Sequence, residues 1–378
     1  SSDSWPIYIS LQKDGILFKM RRTQDIPDKK SATMFFQDCK LAHQAQITGI
    51  RHSIKEILPP DLLDLTQLQK EANIRYGFTA SEVYDIAQSL YEKKLISYPR
   101  TSSRYLTEDV FDSLPPIMAR LLSWELFPAA KGTASIDISS LFRHVINAEK
   151  ANVHHAIIIT GIRPGNLPEK EMLVYRLVAG RMLEAFMPPC RIETTDIEAI
   201  CAAQHFKAKQ TRIIEAGWHD VFMNSDIIPK SGYSVNELPE VEKGDTLNVC
   251  GRNLVHKKQL PVNPFTDAEL VEYMELNGLG TVSSRTNIIR TLVNRKYIRY
   301  SGKYIVPTPK GMFTYETIRG KKIADTSLTA DWEKQLAGLE SGMITRQDFL
   351  NRIRTLAKEM TDDIFNTYSQ KEKVSILK

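Results

Sequence analysis

The sequence predicts a multidomain α+β protein in which a β domain is interrupted by a helical insertion and followed by a helical, winged-helix-like C-terminal domain. Three observations predict it. Alternating, strand-like sequence sits on both sides of a helical block, Pro-Pro pairs mark the two junctions, and the last third runs in a helix, helix, basic hairpin order. At 378 residues the chain is too long for one compact core, so two or three domains are expected.

The first β stretch is residues 5–20. Trp5, Ile7, Ile9 and Leu11 alternate with Tyr8, Ser10 and Gln12, Lys13-Asp14-Gly15 supplies a turn, and Ile16, Phe18 and Met20 follow, which reads as a hairpin. Residues 31–45 carry helical spacing, and 46–57 read as another strand. Pro59-Pro60 then marks a boundary. Beyond it, Leu65–Tyr76 is amphipathic, and Thr79 or Ser81 caps a helix running to Lys93 with Val83, Ile86, Ala87, Leu90 and Tyr91 on its apolar side. Ser113–Ser123, Ser139–Asn152 and Glu169–Phe186 are also expected to be helical, the last stopped by Pro188-Pro189. Strands return at Ile197–Ala203, Phe206–Glu215 and Thr246–Cys250, with a turn at Ala216-Gly217-Trp218. After Pro261 and Pro264, helices are expected at Thr266–Leu276, Ser283–Arg295, Asp331–Ser341 and Thr345–Phe365, with a short hairpin over Tyr297–Pro307.

Composition excludes several function classes. Hydrophobic content of 42% and charged content of 25% fit a folded globular protein rather than a disordered or fibrous one. There is no run of about 18 apolar residues, so no membrane partner is expected. Ser1-Ser2-Asp3-Ser4-Trp5 has neither the basic nor the apolar region of a secretory signal, and strand-like sequence begins at once, so a preceding N-terminal part is expected. Cys39, Cys190, Cys201 and Cys250 never fall at C-x-x-C spacing, which argues against zinc and for reduced thiols in a cytoplasmic setting. The net charge is +5, and from Arg285 to Lys322 ten basic residues face the single acid Glu316, the pattern of a phosphate-facing element.

Three clusters carry candidate chemistry. The first is Ser97-Tyr98-Pro99-Arg100-Thr101-Ser102-Ser103-Arg104. Pro99 puts Tyr98 where the chain leaves a helix, and Arg100 follows two residues on. A tyrosine with a pKa near 10 needs help to act as a nucleophile at neutral pH. A neighbouring cation supplies it and also stabilises a transferring phosphoryl group, so Tyr98, Arg100 and the hydroxyls of Thr101, Ser102 and Ser103 are expected to bind one phosphate. The second cluster is Ala151-Asn152-Val153-His154-His155-Ala156, where one histidine can donate to a phosphate or relay a proton. The third is Gly278-Leu279-Gly280-Thr281-Val282-Ser283-Ser284-Arg285, glycines and hydroxyls at a helix start that favour an anion. It lacks the lysine of a P-loop, so nucleotide binding is not expected.

In this order and at these separations the clusters resemble the core of type IA DNA topoisomerases, those of the topoisomerase III kind in particular. The resemblance extends through residues 65–72, 77–80, 86–92, 97–106, 154–160, 278–297 and 328–333. It implies cleavage of single-stranded DNA through a 5′-phosphotyrosyl intermediate on Tyr98, strand passage and rejoining without ATP. It implies Arg100 and His154 as the other catalytic residues, and Thr101, Ser102, Arg104, His155, Thr281, Ser283, Ser284, Arg285 and Arg295 as DNA contacts. It also implies a β gate or hinge domain over residues 1–57 and 190–255, a helical domain over 58–189 carrying Tyr98, and a winged-helix-like DNA-binding domain over 256–378. Single-stranded DNA is the implied substrate and a helicase of the RecQ kind a partner, for a monomeric, nucleoid-associated bacterial protein.

The sequence departs from the family at two positions. Ser102 stands where an acid is common after Arg-Thr, and Ile159 where proline usually follows the Ile pair. No toprim pattern, a strand-borne Glu followed later by Asp-x-Asp, occurs. In the family that domain brings Mg²⁺ and acid help to the leaving hydroxyl, so this chain is expected to hold no metal and to be inactive alone. The alternative is a noncatalytic winged-helix DNA-binding protein, which accounts for residues 266–310 but leaves Tyr98 and His154 idle. Recombinases and relaxases need a C-terminal Tyr among several basic residues or a metal-binding His cluster, and neither pattern occurs.

Overall fold

The computed structural model describes residues 3–124, 126–127, 143–151, 154–223, 231–258 and 262–376. They form two compact units, one of Ser1–Asp61, Leu122–His144 and Gly180–Val262, the other of Leu62–Leu121, Val145–Ala179 and Asn263–Lys378.

The first unit is a closed antiparallel barrel of β1 (Ile7–Lys13), β2 (Ile16–Arg22), β3 (Gln44–Ile57), β4 (Cys190–Cys201), β5 (Gln204–Glu215) and β6 (Thr246–Leu254), in the order β1-β2-β5-β4-β3-β6. Strands from before and after the helical block thus share one barrel, as the interrupted β pattern predicts. Alternation fills the interior with Ile7, Ile9, Leu11, Met20, Ile47, Ile197, Ala199 and Phe206. Helix α1 (Lys29–Leu41) adds Ala32 and Cys39 to that core. The β1–β2 turn uses Asp14 and Gly15, both at positive φ, whose twist matches the flanking strands.

Several boundaries in this unit differ from expectation, those of α1 and β4 most clearly. The α1 helix stops at Leu41, short of Ala45, because Gln44, Ala45 and Gln46 pair with β6. The fourth strand begins at Cys190 and ends at Cys201, since Ala202 and Ala203 form a two-residue turn at φ 50° and 57°. An Ala-Ala pair carries none of the Gly or Asn that signals such a turn, and the long β4–β5 ladder holds it there.

The second unit contains α2 (Leu65–Tyr76), α3 (Ala80–Glu92) and α4 (Glu108–Asp112), together with most of α5 (Leu114–Ser123) and of α6 (Glu169–Phe186). It also contains α7 (Asp267–Leu276), α8 (Arg285–Asn294), the hairpin β7 (Ile298–Ser301) and β8 (Tyr304–Pro307), α9 (Pro309–Ile318), α10 (Thr326–Glu340) and α11 (Arg346–Ile376). The α7, α8, hairpin order is the one expected. Ile305 N–H donates to Phe265 C=O at 2.7 Å, which ties the hairpin to the entry of α7. Ala80, Val271, Met274 and Ile289 form a small core among α3, α7 and α8. Most of the helical insertion and the C-terminal segment therefore fold against each other as one unit.

Residues 139–142 and 152 of the expected Ser139–Asn152 helix lie outside the described residues, and 143–145 form only a short 3₁₀ turn. Its backbone pairs with Leu106 instead: Leu106 N–H donates to Val145 C=O at 2.8 Å and Asn147 N–H to Leu106 C=O at 3.0 Å. Helix α9 has no counterpart among the expected elements. Thr308 caps it by accepting from Gly311 N–H at 3.1 Å. At Gly311 a Cβ would lie 2.0 Å from the Tyr297 carbonyl oxygen, so only glycine lets the helix lie against the hairpin.

Candidate active site

Helix α3 delivers the first cluster. Its capping box pairs the Thr79 hydroxyl with Glu82 N–H at 3.2 Å and the Glu82 carboxylate with Thr79 N–H at 2.9 Å. Val83, Ala87 and Leu90 are buried along one face. The helix ends at Glu92 with Lys93 as its C-cap, Lys94 turns the chain at φ 59°, and Pro99 keeps the following segment extended.

That segment is laced to residues 154–160. Ser97 N–H donates to Ile158 C=O at 2.8 Å, Ile158 N–H donates back to the Ser97 hydroxyl at 3.0 Å, and Thr160 N–H donates to Leu95 C=O at 3.1 Å. Ile157 N–H donates to Leu63 C=O at 2.8 Å, which anchors the histidine segment to the entry of α2. The second cluster is thereby brought to the first, although His154 lies 56 positions beyond Tyr98 (154 − 98).

The Tyr98 ring is half-buried between two others. The Tyr91 ring meets it edge-on with centroids 5.5 Å apart, and the His154 ring lies 4.5 Å away, tilted by 43°. The Arg100 guanidinium lies over the Tyr84 ring at 5.1 Å and donates to Gln88 Oε1 at 3.2 Å. Thr101 is buried, and its hydroxyl donates to the His154 carbonyl at 3.0 Å while accepting from Ser103 N–H at 3.0 Å. The Ser103 hydroxyl accepts from Tyr105 N–H at 3.1 Å. Arg104 donates to Asp64 at 2.7 Å, and Asp64 caps α2 by accepting from Gln67 N–H at 2.7 Å. Ser102 is exposed. The His155 ring has Nδ1 2.7 Å from the Ala156 carbonyl. The three hydroxyls of residues 101–103 therefore do not act as one phosphate-binding group: two are spent on backbone, because the extended segment needs partners for its buried N–H and C=O groups. Asn152 and Val153 lie outside the described residues.

The third cluster forms a separate loop at the start of α8. Gly278 and Gly280 take φ 64° and 72°. Thr281 N–H donates to the Ser284 hydroxyl at 2.7 Å, and the Thr281 and Ser283 hydroxyls lie 3.2 Å apart. Ser284 occupies the cap position, but its side chain makes no cap hydrogen bond, so the first N–H groups of α8 carry no side-chain cap. Arg295 is exposed at the other end of α8. Arg285, expected beside the strand, is buried instead, 3.3 Å from the Thr66 hydroxyl and 3.4 Å from Glu275.

Sequence reasoning missed the polar groups that support these clusters. Gln69 donates to both Ala80 C=O at 2.9 Å and the Thr286 hydroxyl at 2.8 Å, joining α2, α3 and α8. Arg290 grips Asp85 at 2.8 and 2.9 Å. Burial pushes the Asp267 carboxyl above its ordinary range, with nearby Glu82 pushing the same way and hydrogen bonds from Tyr300 and the Ala80 backbone opposing. Among the supporting groups Asp64 alone carries a readable signal, an aspartate directly before an apolar helix.

Magnesium prefers several oxygen ligands, chiefly carboxylates and water. Among the described residues no three His, Cys, Asp or Glu side chains converge, so they do not fit a magnesium centre. Among the same residues no helix is long and apolar enough to cross a membrane.

A family model described as DNA topoisomerase matches residues 1–351. DNA topoisomerase 3 of Bacillus licheniformis is 32% identical over 344 residues, covering 85% of this chain and 47% of that protein. DNA topoisomerase 3 of Staphylococcus saprophyticus is 30% identical over 383 residues, covering 94% and 52%. The chain thus spans about half the length of the curated relatives it matches. Among solved structures, full-length topoisomerase I from Thermotoga maritima superposes with a TM-score of 0.72 at 21% identity, over 95% of this chain and 59% of that one, a likeness of fold.

Proposed function

This chain belongs to the type IA DNA topoisomerase family, topoisomerase III-like in kind, and on that footing we propose that Tyr98 is the nucleophile of DNA strand passage. The observation that carries the reading is the approach of the His154 ring, from a distant segment, to the half-buried Tyr98 ring, with Arg100 two residues along the same extended stretch as Tyr98. The Tyr98 oxygen attacks a phosphodiester phosphorus of single-stranded DNA. The phenol gives up its proton, the bond from phosphorus to the 3′-oxygen breaks, the leaving 3′-oxygen takes up a proton to become a hydroxyl, and the 5′ end stays on the tyrosine. Rejoining is the reverse attack, and because the covalent link conserves the bond energy no ATP is needed.

In this reading Arg100 stabilises charge on the transferring phosphoryl group, and His154 hydrogen-bonds the scissile region. Thr101 acts on His154 through its carbonyl rather than on DNA. Ser102, Arg104 and His155 border the strand, and Thr281, Ser283, Ser284 and Arg295 meet its backbone near the uncapped start of α8 and beyond. Arg285 supports α8 from inside. Any Mg²⁺ used in the reaction is held by residues outside this chain, which alone binds DNA weakly and does not complete cleavage. The barrel serves as gate or hinge, residues 58–189 as the Tyr98-bearing part and 256–378 as the winged-helix-like part. The cellular setting we propose is a monomer at the bacterial nucleoid, working with a helicase of the RecQ kind.

Binding of single-stranded and duplex oligonucleotides to this chain tests the choice of substrate. Preference for single strands at every sequence supports a topoisomerase core. Preference for one duplex sequence would favour a noncatalytic winged-helix protein.

A further inference from the structure

Arg100 is docked against α3 rather than turned to solvent. Its guanidinium rests on Tyr84 and donates to Gln88 Oε1 at 3.2 Å. Gln88 Nε2 donates in turn to the Glu92 carboxylate at 2.8 Å. That second bond fixes the amide, with oxygen to the arginine and nitrogen to the acid. Tyr84, Gln88 and Glu92 recur every four residues and share one face of α3. Tyr91, three residues after Gln88, is the ring that meets Tyr98 edge-on. The same helix therefore holds both the nucleophile's ring and its neighbouring cation.

The docked arginine is incompletely satisfied. Its Nε is shielded from solvent and has no hydrogen-bond partner. Buried donors are normally paired, and a guanidinium is best paired by two oxygens of an anion. A neutral amide oxygen orients the cation without neutralising it, so a phosphodiester competes well for the same group.

We propose that Gln88 is a positioning residue: it holds Arg100 on α3, the helix whose Tyr91 meets the Tyr98 ring, in the DNA-free site and yields it to the scissile phosphate. Glu92 orients Gln88, and Tyr84 is the flat support. The inference rests on the proposed function.

The test compares Gln88→Ala, Gln88→Glu and Tyr98→Phe in the natural protein. It measures single-turnover adduct formation on single-stranded DNA, DNA affinity and melting temperature. Gln88→Ala should slow adduct formation about tenfold with affinity and melting little changed. Gln88→Glu, nearly the same shape, should slow it about a hundredfold, because a carboxylate pairs with Arg100 and retains it. Rates within about twofold of the parent in both variants, or a Gln88→Glu protein no slower than Gln88→Ala, would overturn the inference while leaving Tyr98 as nucleophile. An adduct that survives Tyr98→Phe would overturn the proposed function and this inference with it.

Discussion

Around Tyr98, the hydroxyls of Ser97, Thr101 and Ser103 each bond a backbone group of their own or the neighbouring segment. At the start of α8, those of Thr281, Ser283 and Ser284 bond one another or their own loop, and Thr281 and Ser283 stay exposed. Two hydroxyl-rich motifs thus use the same groups differently. In the first they build the platform on which Tyr98, Arg100 and His154 stand. In the second they remain at the surface, where a strand's phosphates can reach them. A hydroxyl in a motif is scaffold where extended backbone needs partners and stays at the surface where a loop satisfies itself.

The largest effect on this contrast is expected from Thr101→Val. It leaves the His154 carbonyl and Ser103 N–H without their partner, and should cost roughly 2–3 kcal/mol in denaturant unfolding while slowing adduct formation. A loss below about 0.5 kcal/mol would place Thr101 with the surface hydroxyls. Asp64→Ala removes the α2 cap and the partner of Arg104, and should cost about 2 kcal/mol by the same measurement.

A smaller effect concerns α3 and α7, which carry the two regions. With its carboxyl held above the ordinary range, Asp267 keeps a proton in the folded state that the unfolded chain has already lost. Stability therefore falls as pH rises through that window. Asp267→Asn keeps an acceptor for Tyr300, so it should flatten the fall and raise stability at neutral pH in unfolding curves taken across pH. A steeper fall would contradict the assignment. Smallest in stability are Thr281→Ala and Arg295→Ala, each expected within about 0.5 kcal/mol of the parent. Arg295→Ala should still weaken single-strand binding and reduce its salt slope by about 1. An unchanged slope would remove Arg295 from the DNA surface.

Much of this is legible in the sequence because its signals are local. Alternation reveals the hairpin of β1 and β2, and helical spacing reveals α2, α3 and α6, with a cap at α3 and a Pro-Pro stop after α6. Pro99 locates the turn at Tyr98. What stays hidden depends on distant partners. The Ala202-Ala203 turn has no turn residue, and its geometry is imposed by the β4–β5 ladder. The 143–145 segment pairs with Leu106 in place of forming a helix. Arg285 reads as a surface cation until Thr66 and Glu275, 219 and 10 positions away, are packed against it. Gln88 lies in a recognisable helix, but its tie to Arg100 exists only after the chain turns back along α3.

The proposed chemistry stands or falls on Tyr98 forming the covalent link. The most direct test incubates the natural protein with labelled single-stranded DNA and Mg²⁺, digests it, and locates the nucleotide-bearing peptide by mass spectrometry. The expected result is a 5′-phosphate adduct on Tyr98 that Tyr98→Phe abolishes. An adduct on another residue, or none from a folded protein that binds the DNA, would contradict it.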